Sequence, residues 1–173
     1  MFRMFLVAIT LFLLSNQPTY AEYIDRENVQ FKINSNWKVT SSKAGNTNMH
    51  IFDYKNDLPS IVFVRTKDVA HDIDHLAKSH LEHIDNNLKK RCKTCMFVPS
   101  PIQKSKQIIS SIRFDVRIVE GVIQNLAPPR DHAFMRNAIF VGNHGSDYIV
   151  LTITYDPKNK EIVSNFIKDI KIN

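Results

Sequence analysis

Cys92-Lys93-Thr94-Cys95 is the most compact group of reactive side chains in the sequence. Two thiols at this spacing can close a disulfide, help to hold a metal, or exchange disulfides with a substrate. Exchange calls for a thiolate at a helix N-terminus, where the dipole favours negative charge. Here the pair follows the predicted end of a helix, the opposite pole, although Lys89, Lys90, Arg91 and Lys93 act in the other direction. A zinc site would need two further ligands, and no His stands beside the pair. The reading adopted is a structural disulfide between Cys92 and Cys95, with a thiol–disulfide oxidoreductase as the alternative.

Four of the seven histidines, His71, His75, His80 and His83, fall in one segment of helical spacing. At 100° per residue His71 and His75 share a polar column with Glu82, and two imidazoles and a carboxylate are ligands that zinc accepts. Yet His71-Asp72-Ile73-Asp74-His75 lacks the Glu beside the first His that defines the zinc-protease H-E-x-x-H helix. The column therefore reads as a solvated helix face, no metal or other cofactor is expected, and a metal-dependent hydrolase stays as an alternative. His80 falls on the apolar face and His83 at its edge, positions of core or boundary residues. Arg113, Asp115 and Arg117 share a strand face, and Arg130, Asp131 and His132 follow a Pro pair. A carboxylate between arginines stays ionised and is a poor general base, so a solvent-side ion ladder is expected. No G-x-S-x-G, P-loop or G-x-G-x-x-G occurs, which leaves hydrolase and nucleotide-binding readings without a handle. No catalytic residue is assigned.

The elements that would position these groups follow from hydrophobic periodicity. Val29 to Ile33 alternates, Asn34-Ser35-Asn36 is a turn, and Trp37-Lys38-Val39 continues the pattern. Met49 to Tyr54 and the β-branched run Ser60 to Val64 follow, the latter expected as a central strand. Asp68 to Lys90 then switches to helical spacing, with Val69, Ile73, Leu76, Ala77, Leu81, Ile84 and Leu88 on one face. Asp68 is the expected N-cap, and Lys89-Lys90-Arg91 close the C-terminus in keeping with the dipole. Strands return at Cys95 to Val98 and Lys106 to Val119, the latter with Ile112, Phe114, Val116 and Ile118 on one side. After Pro128-Pro129, Phe134 to Val141 and Tyr148 to Tyr155 form a hairpin. Pro157 to Ile170 closes the chain as an amphipathic helix with Ile162, Val163, Phe166, Ile167 and Ile170 inward. The expected order is three strands, a long helix, four strands and a terminal helix. That is an α+β class: an antiparallel sheet of about six to seven strands between helices, an α/β/α-type sandwich.

A length of 173 residues suits a single domain, and two Cys are too few for a disulfide-built miniprotein. Arg3, the apolar stretch Phe5 to Leu14, and Thr19-Tyr20-Ala21 have the order of a signal peptide over residues 1–21. The apolar core is half the length of a spanning helix, and no later run approaches that length. The expectation is export, periplasmic or secreted, with residues 22–173 as one soluble domain. A net charge of +6 suits contact with anionic surfaces such as lipid head groups, acidic glycans or nucleic acid. The cations are scattered, however, so the plainer reading is that they keep an exported protein soluble. A protein or anionic-surface partner is expected and nucleic acid is not.

The layout resembles the PsbP-like fold, shared by the extrinsic photosystem protein and exported bacterial domains of the DcrB type. The matching features are Phe31-x-Ile33 followed by Trp37, the long helix, the strand Asp147-Tyr148-Ile149-Val150-Leu151-Thr152, and the closing Phe166-Ile167-Lys168-Asp169-Ile170. Together they span residues 28–172. The resemblance implies a non-enzymatic binding or assembly role outside the cytoplasm and offers no catalytic residues to carry over. An enzyme and a secreted effector are the rival classes.

Overall fold

Alternation of apolar and polar residues sets most of the chain into strands, and the longest of these carry two different buried faces. The computed structural model describes residues 21–55, 57–67, 72–127 and 132–173. In chain order the elements are β1 (Glu22–Arg26), β2 (Val29–Ile33), β3 (Trp37–Ala44), β4 (Thr47–Tyr54) and β5 (Asp57–Thr66), then the helix α1 (Ile73–Arg91). The second half adds β6 (Cys95–Pro99), β7 (Gln103–Ile109), β8 (Ile112–Asn125), β9 (His132–His144) and β10 (Asp147–Tyr155). A 3-10 turn at Pro157–Asn159, α2 (Lys160–Lys168) and β11 (Lys171–Ile172) close the chain.

The α+β class holds, and the layout differs from the expected sandwich. An eight-stranded antiparallel sheet runs β3-β4-β5-β10-β9-β8-β6, with β7 also paired to β8, and a separate three-stranded sheet runs β1-β2-β11. The expected single strand Lys106 to Val119 is two strands, β7 and β8, folded back at Ser110-Ser111. Both turn residues take positive φ, 48° and 70°, the conformation a tight hairpin requires, without the glycine that would announce it. The helix begins later than expected: Asp72 is the N-cap and accepts from the His75 N–H. Asp68 and Val69 lie outside the described residues. Of the predicted helix face only Ala77 is fully buried, and Ile73, Leu76, Leu81, Ile84 and Leu88 are half-buried.

The two faces of the large sheet have different covers. On one, Phe52, Ile61, Phe63, Phe114, Val116, Ala138, Phe140 and Leu151 meet Val29, Phe31 and Ile33 of the small sheet and Val163, Phe166 and Ile167 of α2. Each fully buried Phe or Ile contributes about 1.5–3 kcal/mol of transfer free energy. On the other face α1 packs across β6, β8 and β9, over Phe97, Val119, Met135 and Asn137. One helix lies on each side as expected, but α2 shares its layer with the small sheet. Two glycines make room for large rings. A Cβ at Gly142 would meet the Phe114 ring at 2.7 Å, and one at Gly121 would run into the Phe97 ring.

Candidate functional site

Where β2 turns into β3, the side chains that end the core open into a cleft. Asn34 shapes the turn: its carbonyl accepts from Trp37 N–H and its Oδ1 from Asn36 N–H, both at 3.0 Å. The turn sets Trp37 directly opposite Tyr54 on β4. The two rings meet edge to face at 5.2 Å, and Trp37 also packs on Phe166 of α2 at 4.8 Å. Lys32 from β2 and Asp169 after α2 face each other across the rim, 3.5 Å apart and both half-buried. Ile33, Asn34, Ile162 and Asn165 complete a cleft of about 200 Å³, whose open side is bordered by Ala21, the residue ahead of β1. Its wall offers aromatic faces, one cation, one anion and two carboxamides. Lys32, Asp169 and the Tyr54 hydroxyl are its polar side chains besides the carboxamides.

A second polar group lies at the other end of the core. Ser41 and His50 are opposite each other on β3 and β4, with Ser41 Oγ 2.8 Å from His50 Nδ1. His50 Nε2 is 4.0 Å from Glu27 Oε1, which accepts from Asn48 Nδ2 at 2.8 Å. Burial lowers the His50 pKa; the Glu27 carboxylate acts against this, and Arg26 adds to it. The set has the composition of a Ser–His–carboxylate triad but not its geometry, since 4.0 Å is beyond hydrogen-bond reach. Nothing in the sequence joins these residues; only the β3–β4 register and the β1–β2 turn do.

Cys92 and Cys95 stand at disulfide distance, with S–S 1.96 Å and Cα–Cα 5.3 Å. Cys92 is the C-cap of α1, so the pair sits at the negative pole of the helix. His71 lies outside the described residues. His75 and Glu82 are both exposed and two helical turns apart, about 10 Å along the axis, too far to share an ion. No group of three or more His, Cys, Asp or Glu positioned for a metal occurs among the described residues. His80 is half-buried against Asn137, and burial lowers its pKa despite that hydrogen bond. His83 is exposed and bonds Asn87 at 2.7 Å. The ion ladder forms differently from expectation. Arg117 reaches Asp74 of α1, which also binds Lys104 at 2.6 Å, while Asp115 has Lys106 at 4.0 Å. Arg130 and Asp131 lie outside the described residues; His132 is exposed and edge-on to Phe134.

No protein family and no curated protein matches this chain by sequence. Among solved structures, cyanobacterial PsbP (CyanoP) from Synechocystis sp. PCC 6803 superposes with a TM-score of 0.53, covering 91% of this chain and 95% of that one at 6% identity. The fold is PsbP-like. At that identity the likeness speaks for the fold alone. LpqN, a protein involved in cell envelope biogenesis of Mycobacterium tuberculosis, matches over 92% of this chain and 94% of its own at 12% identity. The TM-score of that match is 0.39. Within the PsbP-like fold the Trp37 cleft lies where the small sheet, the β3–β4 edge and the closing helix converge.

Proposed function

We propose that this chain is an exported, non-catalytic binding protein with an accessory or assembly role, and that the Trp37 cleft holds a side chain or chain end of a protein partner. The observation that carries this is the make-up of the cleft: Trp37, Tyr54 and Phe166 for stacking, with Lys32 and Asp169 at the rim. Rigid aromatics beside a few placed polar groups are what recognition sites use. A volume of about 200 Å³ suits one residue of a partner better than a cofactor. Export is supported by Arg3, the apolar run Phe5 to Leu14 and the small residue Ala21. No helix among the described residues is long and apolar enough to cross a membrane.

The test is site-specific photocrosslinking in the producing cell, with the photoreactive residue at the exposed position Asn165. One discrete adduct is expected, and Lys32→Glu with Trp37→Ala should abolish it. Adducts that persist in that double variant, or that form equally from Ser105 on the far edge of the sheet, would refute the cleft. Intact mass of the same protein should begin at Glu22; a mass that retains residues 1–21 would refute the processing.

A further inference from the structure

The edge of the large sheet farthest from the cleft carries an apolar patch that no described element covers. Residues directly opposite one another in antiparallel strands project to the same face. The registers Val98↔Val122↔Phe134 and Met96↔Gln124↔His132 therefore gather Met96, Val98, Val122 and Phe134 on one surface. Leu126 extends the pairing through its N–H to Thr94 O at 3.0 Å. Further along this same face the sheet carries the core residues Phe114, Val116 and Phe140. Past Ala138 the Glu120–Arg136 ion pair, 3.1 Å, ends the covered region, and the patch begins. Phe134 is 59% exposed, Leu126 58%, Val98 40% and Met96 39%. A lone exposed apolar residue is ordinary, but a contiguous group on a monomer marks a contact surface.

The charges at this end of the sheet select the partner. Residues 86–114 contain seven Lys and Arg and neither Asp nor Glu. Three of these cations, Lys90, Arg91 and Lys93, end α1 and form the turn that delivers β6 to the patch, and all three are exposed. None has an ion-pair partner among the described residues. Two described carboxylates of the neighbouring elements are already engaged, Glu120 by Arg136 and Asp85 by Lys89. The Cys92–Cys95 pair closes the turn that carries Lys93, directly ahead of Met96 in β6. An apolar patch at a sheet end whose incoming turn and helix terminus carry cations on long stems matches the boundary between anionic head groups and acyl chains.

We propose that this end of the molecule docks on an anionic lipid surface. Phe134 and Leu126 enter the head-group boundary, with Met96 and Val98 behind them, and Lys90, Arg91 and Lys93 lie against the head groups. The docking edge is separate from the cleft, so the two readings stand or fall independently.

The test uses the chain from Glu22 onward, which contains every described strand and helix, and vesicles of phosphatidylcholine with or without phosphatidylglycerol. Flotation should recover the protein with the phosphatidylglycerol vesicles only, and raising the salt should release it. Phe134→Ser and Leu126→Ser, each at an exposed position, should weaken binding roughly tenfold with the thermal midpoint unchanged. Lys93→Glu should weaken it by about fivefold or more. Equal recovery with both vesicle types, no recovery at low salt, or binding that survives the Phe134→Ser, Leu126→Ser double variant would each overturn the proposal. So would sedimentation that finds a dimer split by Phe134→Ser, because a second copy would then be what covers the patch.

Discussion

Phe166 joins the stability of this fold to the shape of its cleft, and replacing it with Ala should disturb both. Its ring is 4% exposed and packs on Phe31 at 5.7 Å, Phe52 at 5.4 Å and Trp37 at 4.8 Å. Truncating a buried Phe to Ala costs about 3–5 kcal/mol through lost transfer energy and the cavity left behind. Ring contacts contribute about 0.5–1.5 kcal/mol per pair within that sum. Because a domain of this kind is stable by only about 5–15 kcal/mol, Phe166→Ala removes a large share. At about 2–4 °C per kcal/mol, the midpoint should fall by roughly 6–20 °C. Phe166→Leu keeps most of the volume and should cost no more than about 1.5 kcal/mol. Trp37 is the only tryptophan, so urea unfolding followed by its fluorescence reads the same contact directly. Its emission should shift to the red in the folded Ala variant as the indole loses its neighbour. Adding Trp37→Ala should cost less than the sum of the two, by about 0.5–1.5 kcal/mol. A loss below about 1 kcal/mol for Phe166→Ala, with Trp37 emission unchanged, would refute the idea that this ring pins α2 to the sheet.

His50 and His80 are both held below the ordinary imidazole pKa by burial, so the unfolded chain binds more protons than the fold just below pH ~6.5. Stability should therefore fall as pH drops through that range in urea titrations, and His50→Gln with His80→Gln should flatten the slope. Hydrogen bonds from Lys104 and Arg117 hold Asp74 at about 2, so its contribution should be lost only as pH falls from about 4 toward 2, and Asp74→Asn should remove that limb. Cys95→Ser should cost less than the ~3 kcal/mol of a 15-residue loop, because the loop it opens is far shorter, and the intact protein should not catalyse insulin reduction. Zinc calorimetry should find no stoichiometric site; a sub-micromolar one lost in His75→Ala would restore the metal reading of His71, His75 and Glu82.

Periodicity made the buried faces legible where the strand or helix had a run long enough to show it. Phe114 and Val116 are buried while Arg113 and Asp115 are exposed, and Val163, Phe166, Ile167 and Ile170 turn inward, all as their spacing implies. The small sheet was not legible, because β1 reads Glu-Tyr-Ile-Asp-Arg and β11 has two residues, too little for any period. Its β1–β2 turn uses Glu27 and Asn28 at positive φ, and the β7–β8 turn uses Ser110 and Ser111, so glycine marks neither. The cleft was half-visible: Trp37 and Phe166 were placed on their elements, but Lys32, Tyr54 and Asp169 meet them only through tertiary packing. The same holds for Ser41, His50 and Glu27, and for the patch at Phe134, whose members come from separate strands.

The pairing of β5 with β10 bears on when the protein can fold. Val64 lies against Val150, and Arg65 binds Asp147 at 2.9 Å across 82 residues of chain. During synthesis β3, β4 and β5 can form their hairpins as they emerge, yet β5 keeps an open edge until β10 appears. The small sheet waits longer still, since β11 supplies its last strand and ties Ile172 N–H to Ser110 Oγ at 3.0 Å. Contacts this distant in sequence slow the search for the native state. A chain that acquires its closing strands last cannot complete its core until synthesis is nearly over, and a polypeptide without a completed core can still be drawn out and passed through a narrow channel. The cost is an exposed β-branched edge in the interim, which a holding chaperone would have to shield.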